Sequence, residues 1–400
     1  MFLDKVTKWL GGIILMLCAL FVLLYFTMLR NSYYQPGYAQ RKHTGAAWRT
    51  KGITLAVVWP AHDDVSFVHG VQLALEEANA SKAHHLNRGI RIKQFTEGPD
   101  ESRWSGANMA HLIAWDSDIV AVLGHEFSSS AVPASLTYEN RGLLFLTPKS
   151  TDPHLTQHGF RYTFRLTPND QQIAVAMTKF AAGRGWKNIG VYSARNAEGE
   201  SMEHELIEAA SENGLNLVFS RSYLPYEERW EEMDFRPLIA TEARETVDGI
   251  MIADQLPRGA KLITDLRKMG INVPIMASDK LDSELLWEEA KEAANNVYVA
   301  SAVDPDSTGP AFLCFKESFV RRWGQNPGYG ASQGYESFWL LMNAIWESDS
   351  AEPIIVATTI RDGKWKGLFG DFSFTPEGDI EGRHISIKRQ ENGRLTTVPN

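Results

Sequence analysis

The chain has 400 residues, 44% of them apolar and 22% charged, which is enough material for one large or two medium cores. A net charge of −9 argues against a nucleic-acid partner, because phosphate binding needs a basic face that would have to be assembled against this background. Cys314 is the only thiol beyond the first apolar stretch, so no intramolecular disulfide closes in the remainder of the chain.

Leu10 to Leu29 runs twenty residues without a charge, long enough to cross a bilayer as a helix. Lys5 and Lys8 precede it and Arg30 follows; with the chain beyond it outside the membrane, residues 1–9 are a short cytoplasmic tail. The exit, Tyr25-Phe26-Thr27-Met28-Leu29-Arg30, offers no small-x-small cleavage site, so the segment reads as a retained signal anchor. Cys18 reads as a membrane-buried thiol, since Leu15-Met16-Leu17 lacks the small residue expected beside a lipid-modified cysteine. Flanking charge opposes an outside location: Arg30, Arg41, Lys42 and Arg49 outnumber Lys5 and Lys8. Long domains nevertheless translocate against such a bias.

Residues 30–51 contain Gln35-Pro36-Gly37 and no apolar period, and are predicted to be a tether. The folded part is expected to begin near Lys51. Ile53 to Val58 reads as a buried strand, and Phe67, Gly70, Val71, Ala74, Leu75 and Ala78 follow at helical spacing. Further buried strands are predicted at Ile90 to Phe95, Ile119 to Leu123, Leu143 to Leu146, Ile189 to Ser193, Leu215 to Phe219, Gly249 to Ala253, Val273 to Ala277 and Val297 to Ala302, with helical patterns between most of them. This alternation calls for parallel sheets covered by helices on both faces. Phe372 to Phe374, and Ile385 to Val398 turning at Asn392-Gly393, read as antiparallel strands and a hairpin. Two α/β lobes therefore fit better than one barrel.

Three hydroxyl-rich strand edges stand out. The first is Gly124-His125-Glu126-Phe127-Ser128-Ser129-Ser130, opening a helix whose free amides, with the serine hydroxyls, can hold a carboxylate. The second is Thr147-Pro148-Lys149-Ser150-Thr151-Asp152-Pro153, and the third Phe164-Arg165-Leu166-Thr167-Pro168-Asn169-Asp170. Ligands of open α/β sheets sit at such edges. One serine capping a helix is the alternative for any single run.

In order and spacing, these edges resemble the leucine/isoleucine/valine-binding protein family of type I solute receptors. Gly70-Val71-Gln72-Leu73-Ala74-Leu75-Glu76-Glu77-Ala78-Asn79, the Tyr298-Val299-Ala300-Ser301 strand entering Asp304-Pro305-Asp306, and Phe372-Ser373-Phe374-Thr375-Pro376-Glu377-Gly378-Asp379 extend the resemblance to nearly the whole chain after Gly52. The resemblance implies the periplasmic-binding-protein type I fold: two Rossmann-like lobes with parallel sheets joined by a three-segment hinge, here preceded by one transmembrane helix. It places lobe 1 at 52–167 plus 303–374 and lobe 2 at 168–302 plus 375–400, with crossings near Thr167, Ala302 and Thr375. It also places the domain outside the plasma membrane.

Carried over residue by residue, the resemblance implies that Ser128 or Ser129, with Ser130 beside them, holds a ligand carboxylate. Lys149, Ser150 and Thr151 match a loop gripping both carboxylate and ammonium. Asp170 and Asp279 match acidic positions, Asp279 being the expected partner of an ammonium group. A zwitterion held by hydroxyls on one lobe and an acid on the other is satisfied only when the clamp shuts. Departures from the pattern qualify the ligand. Asp63, in Trp59-Pro60-Ala61-His62-Asp63-Asp64, belongs to a first loop bulkier and more acidic than the family's, and Glu198 stands where the family has a tyrosine. Lys149 replaces a small residue, and either enters the cleft or snorkels outward. A smaller or more polar ligand than a branched-chain amino acid is expected, such as another amino acid or an amide.

The chain carries no His-Glu-x-x-His, Gly-x-Ser-x-Gly, phosphate-cradling glycine loop or paired-cysteine spacing, so neither catalysis nor a cofactor nor a metal is expected. His62 with Asp63 and Asp64 is a poor metal set, because adjacent residues rarely converge on one ion. The expected partner is an ABC permease, with a membrane sensor protein or a protein-interaction platform as the alternatives.

Overall fold

A computed structural model of the chain describes residues 16–24, 36–60, 65–81, 89–98, 103–225, 233–242, 246–302 and 309–398. The apolar run expected to span a membrane lies largely outside these residues; its middle, 16–24, is an exposed helix. Among the described residues no helix is long and apolar enough to cross a membrane.

Lobe 1 is built on five parallel strands, β1 (Ile53–Pro60), β2 (Ile90–Glu97), β3 (Ile119–Gly124), β4 (Leu144–Thr147) and β5 (Thr163–Arg165), in the order β2-β1-β3-β4-β5. Every residue of β1 is buried. Its alternate side chains feed two cores: Leu55 and Val57 face one way, Ala56 and Val58 the other. Continuous apolar runs of this kind are what a parallel sheet covered on both faces requires. β2 is the edge strand, and its middle is largely exposed.

Helices α1 (Pro36–Ala46) and α2 (Trp48–Lys51) precede the sheet, and α3 (Ser66–Ala80), α4 (Arg103–Ala114) and α5 (Ser128–Arg141) connect its strands. The predicted tether is corrected here: from Pro36 onward it is helical and docked on lobe 1. Arg41 is fully buried and its guanidinium donates to the carbonyls of Ala114, Asp116, Ile119 and Arg141, at 2.6, 3.1, 3.0 and 2.9 Å. Burial, with the nearby Arg141, brings its pKa down to about 10. Trp48 enters the lobe 1 core. The attachment escaped the sequence because one cation bonded to carbonyls leaves no apolar periodicity.

Lobe 2 begins at α6 (Asp170–Gly183) and continues through β6 (Asn188–Ala194), α7 (Ala197–Glu212), β7 (Asn216–Tyr223), α8 (Arg236–Glu242), β8 (Gly249–Ala253), α9 (Arg258–Lys268), β9 (Ile275–Ala277), α10 (Leu285–Ala290) and β10 (Val297–Ser301). Its seven-stranded sheet runs β15-β14-β10-β9-β8-β6-β7, where β14 (Ser386–Glu391) and β15 (Arg394–Val398) form the expected hairpin, antiparallel to β10.

Between β10 and β14 the chain returns to lobe 1 as α11 (Pro310–Trp323), α12 (Tyr329–Ser348), α13 (Pro353–Asp362) and a small antiparallel sheet of β11 (Trp365–Gly367), β12 (Gly370–Phe374) and β13 (Ile380–Glu381). Helices α3 and α12 cross at backbone distance: a Cβ on Gly70 would sit 1.9 Å from the Ala331 carbonyl oxygen, and one on Gly334 would sit 2.2 Å from that of Phe67. The third passage between lobes falls at residues 382–385, later than expected near Thr375, because Ile380 packs into the lobe 1 core and β13 pairs with β12.

Candidate functional site

The carboxyl ends of β3, β4 and β5 face those of β6 and β9 across the cleft, and α5 and α7 touch across it. At the start of α5, Phe127 supplies no side-chain cap. The Ser128 hydroxyl instead serves the neighbouring loop, accepting from the Ser150 hydroxyl at 3.2 Å and from the amides of Thr151 and Asp152 at 3.2 and 3.3 Å. Ser128 and Ser150 thus knit two strand-end loops together. The adjacent Ser129 hydroxyl is buried with no hydrogen-bond partner, while that of Thr151 hydrogen-bonds the Asp170 carboxyl. Ser130 lies apart from these groups, its main chain against Gly106 of α4.

The loops rest on two buried polar assemblies. His125 bridges Glu97 and Tyr138, with Nδ1 2.7 Å from the carboxylate and Nε2 2.8 Å from the phenol oxygen. Arg165, fully buried, donates to Asp379 at 2.8 Å, to the carbonyl of Asp152 at 2.6 Å and to that of Ser150 at 3.3 Å. Arg165 and Asp379 come from the two Phe-rich segments singled out in the sequence, and together they set the path of the Ser150–Asp152 loop. The Lys149 ammonium turns to Glu126, 2.6 Å away, with the Trp59 ring 6.0 Å from it.

Lobe 2 contributes acids. Glu198 stands in the first turn of α7, behind the Asn196 cap that accepts from the Gly199 amide at 2.9 Å. Asp170 opens α6; its amide donates to the Thr151 carbonyl at 2.9 Å, and its Oδ2 accepts from the Ser201 hydroxyl at 2.6 Å. Asp279 follows β9 on a 3-10 turn, Asp279–Leu281. Asp279 Oδ1 is buried without a partner. A buried polar atom left unpaired calls for a partner, which water or a solute can supply.

Between these acids lies Lys280. Its ammonium is 3.2 Å from Glu198 Oε1 and 3.8 Å from Asp279 Oδ2, and it donates to the Lys149 carbonyl of the opposite lobe at 3.2 Å. Burial works against the charge, but Glu198, Asp279 and Asp170 outweigh it and hold Lys280 protonated well above the ordinary lysine range. Burial, then the Glu198 charge, pushes the Asp170 carboxyl up to about 7; burial also raises Glu198, against the pull of Lys280. Tyr329, at the start of α12, is raised by burial and by Asp279. One turn on, Gln333 Nε2 donates to the Pro148 carbonyl at 2.6 Å, leaving Oε1 buried and unpartnered.

Eight of the ten residues singled out in the sequence, Ser128, Ser129, Lys149, Ser150, Thr151, Asp170, Glu198 and Asp279, thus line one cleft or its supporting loops. Asp63 lies outside the described residues, as do His62 and Asp64. Lys280, Tyr329, Gln333 and Ser201 were not anticipated. Lys280 directly follows Asp279, and Tyr329 and Gln333 are four apart on one helix face; those were the available signals.

A profile described as Periplasmic binding protein matches residues 60–384. The chain is 24% identical over 337 residues to a Leu/Ile/Val-binding protein, BraC3, of Rhizobium johnstonii, covering 82% of this chain and 88% of that one. Among solved structures it is similar to an ABC transporter substrate-binding protein from Desulfitobacterium hafniense, with 29% identity and a TM-score of 0.76 over 86% of this chain and 99% of that one. An ABC transporter substrate-binding protein from Desulfitobacterium hafniense solved in complex with Leu gives 28% identity and a TM-score of 0.75, over 86% of this chain and 99% of that one.

Proposed function

Because the chain belongs to the periplasmic binding protein family, we propose that it captures a small polar solute between its two lobes outside the cell membrane and presents it to an ABC-type membrane transporter. The observation that carries this reading is a pair of buried, unpartnered polar atoms on the two sides of the cleft, Ser129 Oγ on lobe 1 and Asp279 Oδ1 on lobe 2. Hydroxyl donors opposite carboxylates suit a compact solute of amino-acid size that bears a carboxylate. The similar proteins named for Leu/Ile/Val and solved with Leu support that size class. The Glu198–Lys280 pair makes this cleft wall more polar than an aliphatic side chain would require.

The uncharged run from Leu10 to Leu29 supports a single membrane anchor holding the protein at the surface where a permease would meet it. Family membership supports binding rather than catalysis. Thermal unfolding against amino acids, amides, dicarboxylates and urea tests the reading, since a bound solute raises the midpoint by mass action. Ser129→Ala and Asp279→Ala are expected to weaken that shift by about tenfold in Kd each, in line with the loss of one charge-assisted or buried hydrogen bond, while the unliganded midpoint changes little. Unchanged affinity in both variants would remove these residues from the site.

A further inference from the structure

We propose that Lys280 is a built-in cation filling the acceptor half of the cleft, so that the solute enclosed here is a carboxylate without an amino group. This rests on the solute-capture reading above and specifies its ligand class.

Lys280 satisfies the groups that would otherwise call for a ligand cation. An ammonium has three donors and no acceptor capacity. That of Lys280 is spent on the Glu198 carboxylate at 3.2 Å, the Lys149 carbonyl at 3.2 Å and, more distantly, Asp279 at 3.8 Å. Those acceptors belong to both lobes, so the lysine spans the cleft as a cationic ligand group would. Its side chain is 13% exposed, which leaves no room for it to be a solvated surface charge. A second ammonium brought beside it would meet like-charge repulsion in a low-dielectric pocket, with the Glu198 carboxylate already paired and one oxygen of Asp279 left to it.

What remains unspent suits an anion bearing a hydroxyl or an oxo group. Ser129 Oγ is a buried hydroxyl without a partner and can donate to a carboxylate. Asp279 Oδ1 can accept from a ligand hydroxyl. Lys280 adds a positive charge within the same enclosure. A 2-hydroxy acid meets these groups without a second positive charge, whereas its 2-amino counterpart brings an ammonium beside Lys280.

The test uses matched pairs differing only in that group, measured by calorimetry on the full folded protein: lactate against alanine, 2-hydroxy-4-methylpentanoate against leucine, and phenyllactate against phenylalanine. Within the pair whose side chain fits, the hydroxy acid is expected to bind at least about tenfold more tightly. Lys280→Met is expected to reverse the preference by freeing Glu198, Asp279 and the Lys149 carbonyl, whereas Lys280→Arg keeps it. Tighter binding of the amino acid by the unmodified protein overturns the inference and leaves solute capture standing. An unchanged preference in a folded Lys280→Met variant overturns it equally. Should that variant not fold, the pairs measured on the unmodified protein still decide. Failure of every hydroxy acid, amino acid and member of the wider panel to bind overturns solute capture itself.

Discussion

A carboxyl group as deeply enclosed as that of Asp170 titrates on terms set by its surroundings. Its pKa rises from 3.8 to about 7, through burial first and the Glu198 charge second. The folded state therefore keeps a proton that the unfolded chain releases, and this contribution to stability is lost as pH climbs from about 4 through about 7. Glu198, raised in the same direction, adds to the slope. Lys280, whose pKa is raised, contributes stability that is present throughout this window and lost only at far higher pH. Asp170→Asn keeps an acceptor for Ser201 and is expected to flatten the fall in the unfolding midpoint between about pH 4 and about pH 7, as read by scanning calorimetry. An unaltered slope would place the titrating group elsewhere. At this scale the sequence was partly readable. Serines at a strand edge announced donors, yet only the fold separates Ser128, occupied in joining two loops, from Ser129, which is left open. Lys280 was opaque because a lysine in a strand-end turn looks like any solvated lysine until its three-dimensional neighbours are known.

Elements fix where those residues stand. The Arg165–Asp379 pair ties β5 to the segment between β12 and β13 and holds the Ser150 and Asp152 carbonyls. Asp379→Ala leaves a fully buried guanidinium short of its counter-ion and is expected to cost about 3 kcal/mol in urea unfolding. Ligand affinity should fall with it, because the same cation positions the Thr151 loop. At the α3–α12 crossing, Gly70→Val drives a side chain into the Ala331 main chain, which cannot yield as a flexible side chain would. The expected loss is about 3 kcal/mol, and a variant as stable as the unmodified protein would show that the helices separate easily. Strands and helices of both lobes were legible because buried parallel strands write uninterrupted apolar runs into a sequence. Helix α1 was not, since its attachment depends on polar bonds from one side chain.

Across the whole molecule, two sheets with three passages between them place donors and acids on opposite walls of one cleft. The passage at residues 382–385 was misplaced in the sequence because its boundary depends on Ile380 joining a core assembled from distant segments. The attachment of α1 is a property of the molecule as a unit. Arg41→Ala abandons four carbonyls around an enclosed space and is expected to lower stability by about 3 kcal/mol, while making residues 36–51 the first site of limited proteolysis. Resistance of that segment in the variant would mean that Trp48 alone suffices to hold it.

The docked α1 also changes the mechanics of the proposed anchor. A free tether over residues 30–51 would allow a reach of roughly 75 Å, whereas residues 30–35 alone allow about 20 Å. With so little slack, the proposed anchor would hold lobe 1 close to the bilayer and leave lobe 2 as the arm free to swing. Encounters with a membrane partner are then confined to a thin layer along the surface, where a high local concentration lets even a weak docking contact be sufficient.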